Sequence, residues 1–304
     1  MHSLGFHEGE QEVQRRAGVT DEAARLEGML LPPNLEGGLT LFLAKRTLAA
    51  LTARDQAGRL WTSLLCGEPG FLEAHGSSLI VHTAPGAEDP FRETPPGQTV
   101  GLLTIDFAIR RRVRVNGLLT RSDPGILRLE ADQAFGNCPA YIQQRTLTSD
   151  TTAVTGRVGE HQAPGHVLTP EDEQVIRQAD TFFLGTTHPT RGTDTSHKGG
   201  NPGFVRIEDG TIWWPDYAGN NLFNSLGNIS ANSAAALLFI DFSSGRLIQL
   251  SGTAEIEWVK PGSPGDDGGT GRRVRFHPQQ ARTSWTSLGA ESVALSPHNP
   301  QVDV

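Results

Sequence analysis

Apolar and polar residues alternate along most of this chain in short runs broken by glycine-marked turns, the pattern of half-buried β-strands rather than long helices. Strands are expected at Thr181–Thr187, Phe204–Ile207, Thr211–Trp214, Ala235–Phe242 and Arg246–Val259, segments rich in β-branched and aromatic residues. Asp209-Gly210 reads as a hairpin turn, because glycine tolerates the positive φ a tight turn demands. Asp55-Gln56-Ala57-Gly58 and Asp123-Pro124-Gly125 have the same role earlier in the chain. Many short antiparallel strands favour a small closed barrel, since closure removes exposed edges, with a sandwich as the alternative. Two helical patterns interrupt the strands. One spans Asp21–Leu31 after a cap at Thr20, with Ala24, Leu26, Met29 and Leu30 to pack on a barrel. The other spans about Leu222–Ile229, with Leu222, Phe223, Leu226 and Ile229 near one face and Asn220 and Asn221 as caps.

The strand pattern repeats. Leu102–Gly117 (LLTIDFAIRRRVRVNG) and Leu237–Gly252 (LLFIDFSSGRLIQLSG) match without gaps at seven of sixteen positions, where chance gives about one. Upstream, Thr62–Leu72 (TSLLCGEPGFL) matches Thr195–Val205 (TSHKGGNPGFV) at six of eleven, at an offset of 133 residues against 135 for the first block. Order and spacing are both kept, so the chain reads as a duplicated unit. The expected organisation is an N-terminal lead and helix over 1–35, a first copy over 36–155, a linker over 156–175, a second copy over 176–260, and a C-terminal loop and tail over 261–304. Pro261–Gly271 reads as a mobile loop, and little regular structure is expected from Pro278 onward.

With 304 residues, two domain-sized units are within reach. A net charge of -8 argues against a nucleic-acid or anionic-membrane surface. No apolar run approaches the roughly 20 residues that span a bilayer, and the first residues lack a signal peptide's apolar middle, so a cytoplasmic location is expected. Two cysteines, Cys66 and Cys138, are too few for a disulfide framework or a four-thiolate metal site.

The repeat is most informative where it fails. Against Leu64, Leu65 and Cys66 the second copy sets His197, Lys198 and Gly199, and Lys198 is one of only three lysines. A basic pair in an otherwise matching apolar frame points to an anion. The second copy also carries Pro215–Leu226, a Gly/Asn turn leading into a helix, where backbone N–H groups and the helix dipole favour a negative group. The first copy has instead the Pro-rich loop Thr83–Gln98, with Glu88, Asp89 and Glu93, which repels phosphate. Taken singly, Lys198 also suits a solvated strand edge, and Asn220 and Asn221 a plain turn.

The run Ser196–Phe204, then Pro215–Asn221, Ser225-Leu226, Asn228-Ile229 and the LLFIDF strand, resembles the pyridoxamine 5′-phosphate oxidase-like FMN-binding split-barrel family, in an uncharacterised bacterial branch. The resemblance is strong over about 176–260. It is weaker over 36–150, where it rests on GEPGF, on Arg111–Gly117, similar to the RQVR-containing strand of the oxidases, and on Phe135–Arg145. It implies a mainly β fold of tandem split barrels, the two copies forming a pseudo-dimer within one chain, with one FMN per chain and the second site degraded by Leu64 and Leu65. It further implies that Ser196, His197 and Lys198 lie along the flavin, that Asn220, Asn221 and Ser225 hold phosphate and ribityl, and that Gln249 faces the cofactor. The function implied is an FMN-dependent oxidoreductase with a small-molecule substrate or electron donor, in a chain for which a homodimer is also open. The tail SLGAESVALSPHNPQVDV lacks the oxidases' C-terminal Arg-Leu-x-Pro and Arg-x-His elements, which argues against pyridoxamine phosphate itself as substrate. The alternative is a non-catalytic module that binds or senses flavin, haem or a deazaflavin.

Other candidates weigh less. Cys138 in Asn-Cys-Pro reads as a packing cysteine before a reactive one. His2, His7, Glu8 and Glu10 lack a second ligand cluster with metal-site spacing, and disorder is expected there. Trp213-Trp214 and Phe182-Phe183 read as core or interface aromatics.

Overall fold

The computed structural model describes residues 5–30, 33–83, 85–86, 89–92, 94–136, 139–149 and 167–302. Cys138, His2, Glu88, Glu93 and most of the expected linker lie outside the described residues.

The first copy contributes strands β1 (Leu48–Arg54), β2 (Leu60–Cys66), β3 (Leu72–His75), β4 (Ser78–Val81), β5 (Gln98–Asp106), β6 (Arg111–Asp123) and β7 (Ile126–Gly136), followed by β8 (Gln144–Ser149). The second contributes β9 (Thr181–His188), β10 (Gly192–Gly199), β11 (Arg206–Glu208), β12 (Thr211–Pro215), β13 (Ala234–Asp241), β14 (Arg246–Trp258) and β15 (Arg272–Trp285), followed by β16 (Leu288–Ala294). Helices are α1 (Glu8–Ala17), α2 (Thr20–Ala24), α3 (Gly38–Leu43), α4 (Pro170–Gln178) and α5 (Asn224–Ala231).

The duplication is visible strand by strand. One antiparallel sheet runs β2-β1-β5-β6-β7-β4-β3 and the other β10-β9-β13-β14-β15-β12-β11, the same order with each strand replaced by its repeat counterpart. One irregularity corresponds as well. The ladders break at Asn116/Gly117 and at Ser251/Gly252, positions 135 apart. A Cβ on Gly117 would stand 2.0 Å from Glu130 O, and one on Gly252 2.2 Å from His277 O. That approach explains why both repeat blocks end in glycine. The sheets are not closed, contrary to the closed barrel expected: β2 and β3, and likewise β10 and β11, end their sheets as edges. Packing between the copies, rather than hydrogen-bonded closure, shields β2 and β10.

Alternation along the strands serves two cores at once. Ala49, Leu51 and Ala53 of β1 face the first copy's interior with Leu102, Val113 and Val115, whereas Leu48 and Ala50 face a separate core between the copies. There they meet Leu64, Leu103, Ile105 and Phe107 of the first copy and Phe183, Leu238, Ile240 and Leu247 of the second. Phe182, Leu184, Leu237 and Phe239 fill the second copy's own interior. Strands buried on both faces therefore read as unbroken apolar runs. Thr52 Oγ1 lies 2.9 Å from Thr62 Oγ1 and 2.6 Å from Thr195 Oγ1, which joins two repeat-equivalent threonines across the interface.

Four expectations are corrected. From Gly5 onward the disorder expected is not found: His7 and Glu10 form a reciprocal capping box for α1, and α1 packs against α5. The helix expected over Asp21–Leu31 is α2 plus a 3-10 turn at Glu27–Leu30, and Thr20 is its first residue rather than its cap. From Pro278 to Ala294 the chain is largely regular, because β15 continues to Trp285 as the partner of β14 and β16 pairs with β8 of the first copy. The second sheet thus takes a strand from beyond 260. No helix among the described residues is long and apolar enough to cross a membrane.

Candidate functional site

A cleft of about 910 Å³, counting its open mouth, lies between the copies. Its floor is β10, whose Ser196, His197, Lys198 and Gly199 all line it. The turn from Pro215 to Phe223 and the start of α5 form one wall, and Arg112 and Arg114 of β6, with Tyr141, come from the first copy.

Of the residues singled out in the sequence, Ser196, His197, Lys198, Asn220, Asn221 and Ser225 come together here. Gln249 does not. Its Nε2 donates to Thr62 O (3.1 Å), Ser63 Oγ (2.9 Å) and Asp89 Oδ2 (3.2 Å), at the repeat-related position on the other side of the interface. Asn220 and Asn221 also do not cap α5. Asn220 Oδ1 accepts from Leu222 N at 3.3 Å, Asn221 and Phe223 take left-handed φ of 59°, and no side chain caps the helix.

One end of the cleft is a dense polar network. Arg114 Nε lies 2.7 Å from Asp194 Oδ1, its Nη1 donates to Asn224 Oδ1 at 3.0 Å, and its Nη2 donates to Ser196 Oγ. Asp194 Oδ2 accepts from the hydroxyls of Ser196 and Ser225, each at 3.0 Å. At the other end Lys198 Nζ stands 3.5 Å from Asp216 Oδ1, and Arg272 Nε donates to Asp216 Oδ2 at 3.0 Å. Three cationic side chains and one carboxylate line the cleft; with Asp194 and Arg272 behind them, four cations face two carboxylates. In a chain of net charge -8 this concentration of positive charge favours an anion.

Buried polar groups on the cleft's residues without a hydrogen-bond partner among the described residues include Trp214 Nε1, the Tyr217 hydroxyl and His197 Nε2. His197 Nδ1 accepts from Arg112 Nη1 at 2.7 Å, so the ring hydrogen belongs on Nε2. Burial, then the charges of Arg112, Arg145 and Lys198, hold this imidazole well below its ordinary pKa, and it is neutral at pH 7. Burial, followed by Asp267, pushes the Tyr217 phenol up, so it remains a donor. Unpartnered buried donors are costly unless a ligand supplies acceptors. The rings of Tyr141 and Tyr217 lie 5.0 Å apart, and Tyr141 Oη donates to Ala218 O at 2.9 Å.

Sequence reading missed Arg112, Arg114, Trp214, Asp216, Tyr217 and Asn224 as site residues. The repeat held a signal for Arg114, because its counterpart at an offset of 135 is Gln249. At the repeat-related position Asp89 from the acidic loop accepts from Ser63 Oγ at 2.6 Å and from Gln249, with Phe91 buried beside it, so the carboxylate there faces an amide where Asp194 faces the Arg114 guanidinium. Leu64 and Leu65 there belong to the interface and first-copy cores respectively.

One trio outside the cleft, His7, Glu8 and His188, has metal-like proximity. His7 Nδ1 accepts from the N–H groups of Gly9 and Glu10, and His188 Nδ1 from those of Thr190 and Arg191. Each Nε2 therefore carries hydrogen rather than a free lone pair, and His188 Nε2 faces Glu8 Oε1 at 3.0 Å. The trio fastens α1 to the end of β9.

Residues 168–262 match a family profile described as pyridoxamine 5′-phosphate oxidase. Comparison with curated proteins gave no match. Among solved structures, HupZ of Group A Streptococcus is 17% identical, covering 41% of this chain and 99% of that one, with a TM-score of 0.32. A putative pyridoxamine 5′-phosphate oxidase of Lactobacillus delbrueckii is 15% identical over 38% of this chain and 92% of its own, with a TM-score of 0.30. HutZ of Vibrio cholerae, described as a haem storage protein, is 11% identical over 44% and 99%, with a TM-score of 0.28.

Proposed function

We propose that this chain, whose residues 168–262 match the pyridoxamine 5′-phosphate oxidase profile, binds one FMN in the cleft between its copies and is an FMN-dependent oxidoreductase of the cytoplasm. The observation that carries the reading is the cleft's donor set: cationic Arg112, Arg114 and Lys198 together with the unpartnered donors of Trp214, Tyr217 and His197. A flavin mononucleotide suits both halves, since its phosphate is dianionic and its ring edge is rich in acceptors.

Ser196, Ser225 and the uncapped start of α5, with Arg114 behind them, would hold the phosphate. Asn220 and Asn221 would take the ribityl chain, and Lys198, Tyr217 and Trp214 the ring. FMN, when bound, supplies the hydride and electron chemistry, and the protein's part is to bind, orient and exclude water. Lys198, shared with Arg272 on one carboxylate, would place positive charge beside the ring. His197 does not suit axial ligation of haem iron, because its Nδ1 is engaged by Arg112 and its Nε2 carries the hydrogen.

Purified chain should take up FMN on titration with quenching of flavin fluorescence, at one equivalent per chain. Absence of quenching at any FMN concentration sinks the reading. Anaerobic addition of NADH or NADPH should then bleach the bound flavin; a complex inert to both donors points to a non-catalytic flavin binder, and uptake of a deazaflavin in preference to FMN points to that cofactor.

A further inference from the structure

We infer that Glu10, on the N-terminal helix outside the cleft, is a positioning residue that makes capture of a phosphate-bearing ligand pH-dependent by acting through Asn224 on Arg114. The inference rests on reading the cleft as the site of such a ligand.

The three residues form a continuous chain. Asn224 Nδ2 donates to Glu10 Oε1 at 2.6 Å, and Asn224 Oδ1 accepts from Arg114 Nη1 at 3.0 Å. Arg114 then donates to Ser196 in the cleft. Glu10 is only 3% exposed because α1 and α5 cross closely: a Cβ on Gly227 would stand 2.7 Å from Glu10 N, and one on Gly9 2.2 Å from Gly227 O. Both carboxylate oxygens act as acceptors, Oε2 from His7 N at 3.0 Å, and His7 Nε2, which carries hydrogen, lies 3.6 Å from Oε2.

Charged and titratable groups surround it on every side. His7 is on its own helix, with His188 packed beyond it and paired with Glu8; Arg191 comes from the β9–β10 turn, Asp194 from β10, and the amides of Asn224 and Asn228 from α5. Burial pushes the Glu10 carboxyl up to about 7, Asp194 adds to the rise, and the His7 N–H and Arg191 oppose it, so the group changes charge near neutrality. His7, held down to about 4 mainly by burial, stays neutral throughout.

Protonation removes one negative charge two hydrogen bonds from Arg114. The loss of that charge leaves more of the Arg114 positive charge uncompensated, which favours an anion in the cleft. By reciprocity, the anion raises the Glu10 midpoint and binding takes up a proton. Affinity therefore falls as pH rises through about 7.

The test is FMN titration of the full chain and of Glu10→Gln by fluorescence quenching from pH 6 to 8. Wild-type Kd should rise about tenfold more than that of Glu10→Gln, one pH unit of linked titration being tenfold. The variant should retain only the change due to the ligand's own phosphate, whose second pKa is about 6. Identical profiles overturn the inference. A second arm needs no variant: the Glu10 carboxyl, followed by carbon NMR in wild-type protein, should titrate at higher pH when saturated with FMN or with inorganic phosphate. An unmoved midpoint also overturns it. If FMN fails to bind at every pH, the functional reading falls, while the phosphate arm still decides the role of Glu10.

Discussion

Gln249 stands where the repeat places the counterpart of Arg114, and each reaches across the interface to the equivalent serine of the other copy. Arg114 donates to Ser196, and Gln249 donates to Ser63 at 2.9 Å. One duplicated frame thus carries a charged and an uncharged version of the same contact. The charged side borders the cleft and pairs with Asp194, and on the uncharged side the amide donates to Asp89.

Removing Arg114 tests both consequences. Its partner Asp194 is 2% exposed, and breaking a buried ion pair by deleting one member costs about 3–5 kcal/mol because the remaining charge is unbalanced. Arg114→Gln should lower stability in chemical denaturation by that order. Arg114→Gln combined with Asp194→Asn should recover most of the stability while FMN affinity stays reduced. Equal FMN affinity in the double variant and wild type would remove Arg114 from the anion site.

Asp89 gives a prediction with a definite sign. Burial raises its carboxyl above the ordinary range against the lowering effect of Ser63, the Phe91 N–H, Gln249 and Arg282. A carboxyl whose folded pKa exceeds its unfolded value stabilises the fold below the unfolded pKa, and that contribution is lost as pH rises through the folded pKa. Asp89→Asn should therefore be at least as stable as wild type at pH 8, by up to about 1 kcal/mol, with Gln249 turning its amide to keep a hydrogen bond. It should also show a flatter stability profile above the carboxylate range. Urea melts at pH 5 and pH 8 that show the variant losing ground at the higher pH would contradict this.

The fold was largely legible because duplication supplied its own alignment: strands paired by sequence at offsets of 133 and 135 are paired in sheet order as well. The cleft was legible in part. His197 and Lys198 stood out against Leu64 and Leu65, but Arg114 was hidden in a strand whose three neighbouring arginines look alike in sequence, and its contrast with Gln249 had to be read across the interface. Gln249 itself was misplaced because inside a pseudo-dimer each copy's β6 or β14 serves the other copy's site. The N-terminal helix was missed because its polar residues, His7 and Glu10 above all, are buried through hydrogen bonds rather than by an apolar stripe. Open sheets were read as closed because strand chemistry alone does not distinguish an edge paired by hydrogen bonds from one covered by a second copy.

Lys198 is predicted to matter through its charge. Lys198→Ala should weaken FMN binding by about 1–3 kcal/mol, the range of a charge-assisted hydrogen bond, whereas exposed Lys45→Ala should leave it unchanged. Because Arg272 still neutralises Asp216, the loss should appear in affinity and not in the thermal melting temperature. Matched affinities for the two variants in fluorescence titration would take Lys198 out of the ligand's reach.

The crossing of α1 on α5 depends on two residues without side chains. A methyl group at Gly9 would meet the Gly227 carbonyl oxygen at 2.2 Å, a backbone atom that cannot rotate away, so Gly9→Ala must push the helices apart. Overpacking of this kind costs about 1–3 kcal/mol. α1 pairs with no strand of either sheet, so the cost should fall mainly on its docking: amide exchange should quicken most across Glu8–Ala17, and exchange in β9 and β13 should stay slow. Displacing α1 also carries Glu10 away from Asn224, which frees the amide that holds Arg114. FMN affinity in Gly9→Ala should accordingly lose its step near pH 7 even though no residue of the cleft has been changed. If exchange quickens while the pH step persists unaltered, α1 is a packing element whose contact with Asn224 has no influence on the cleft.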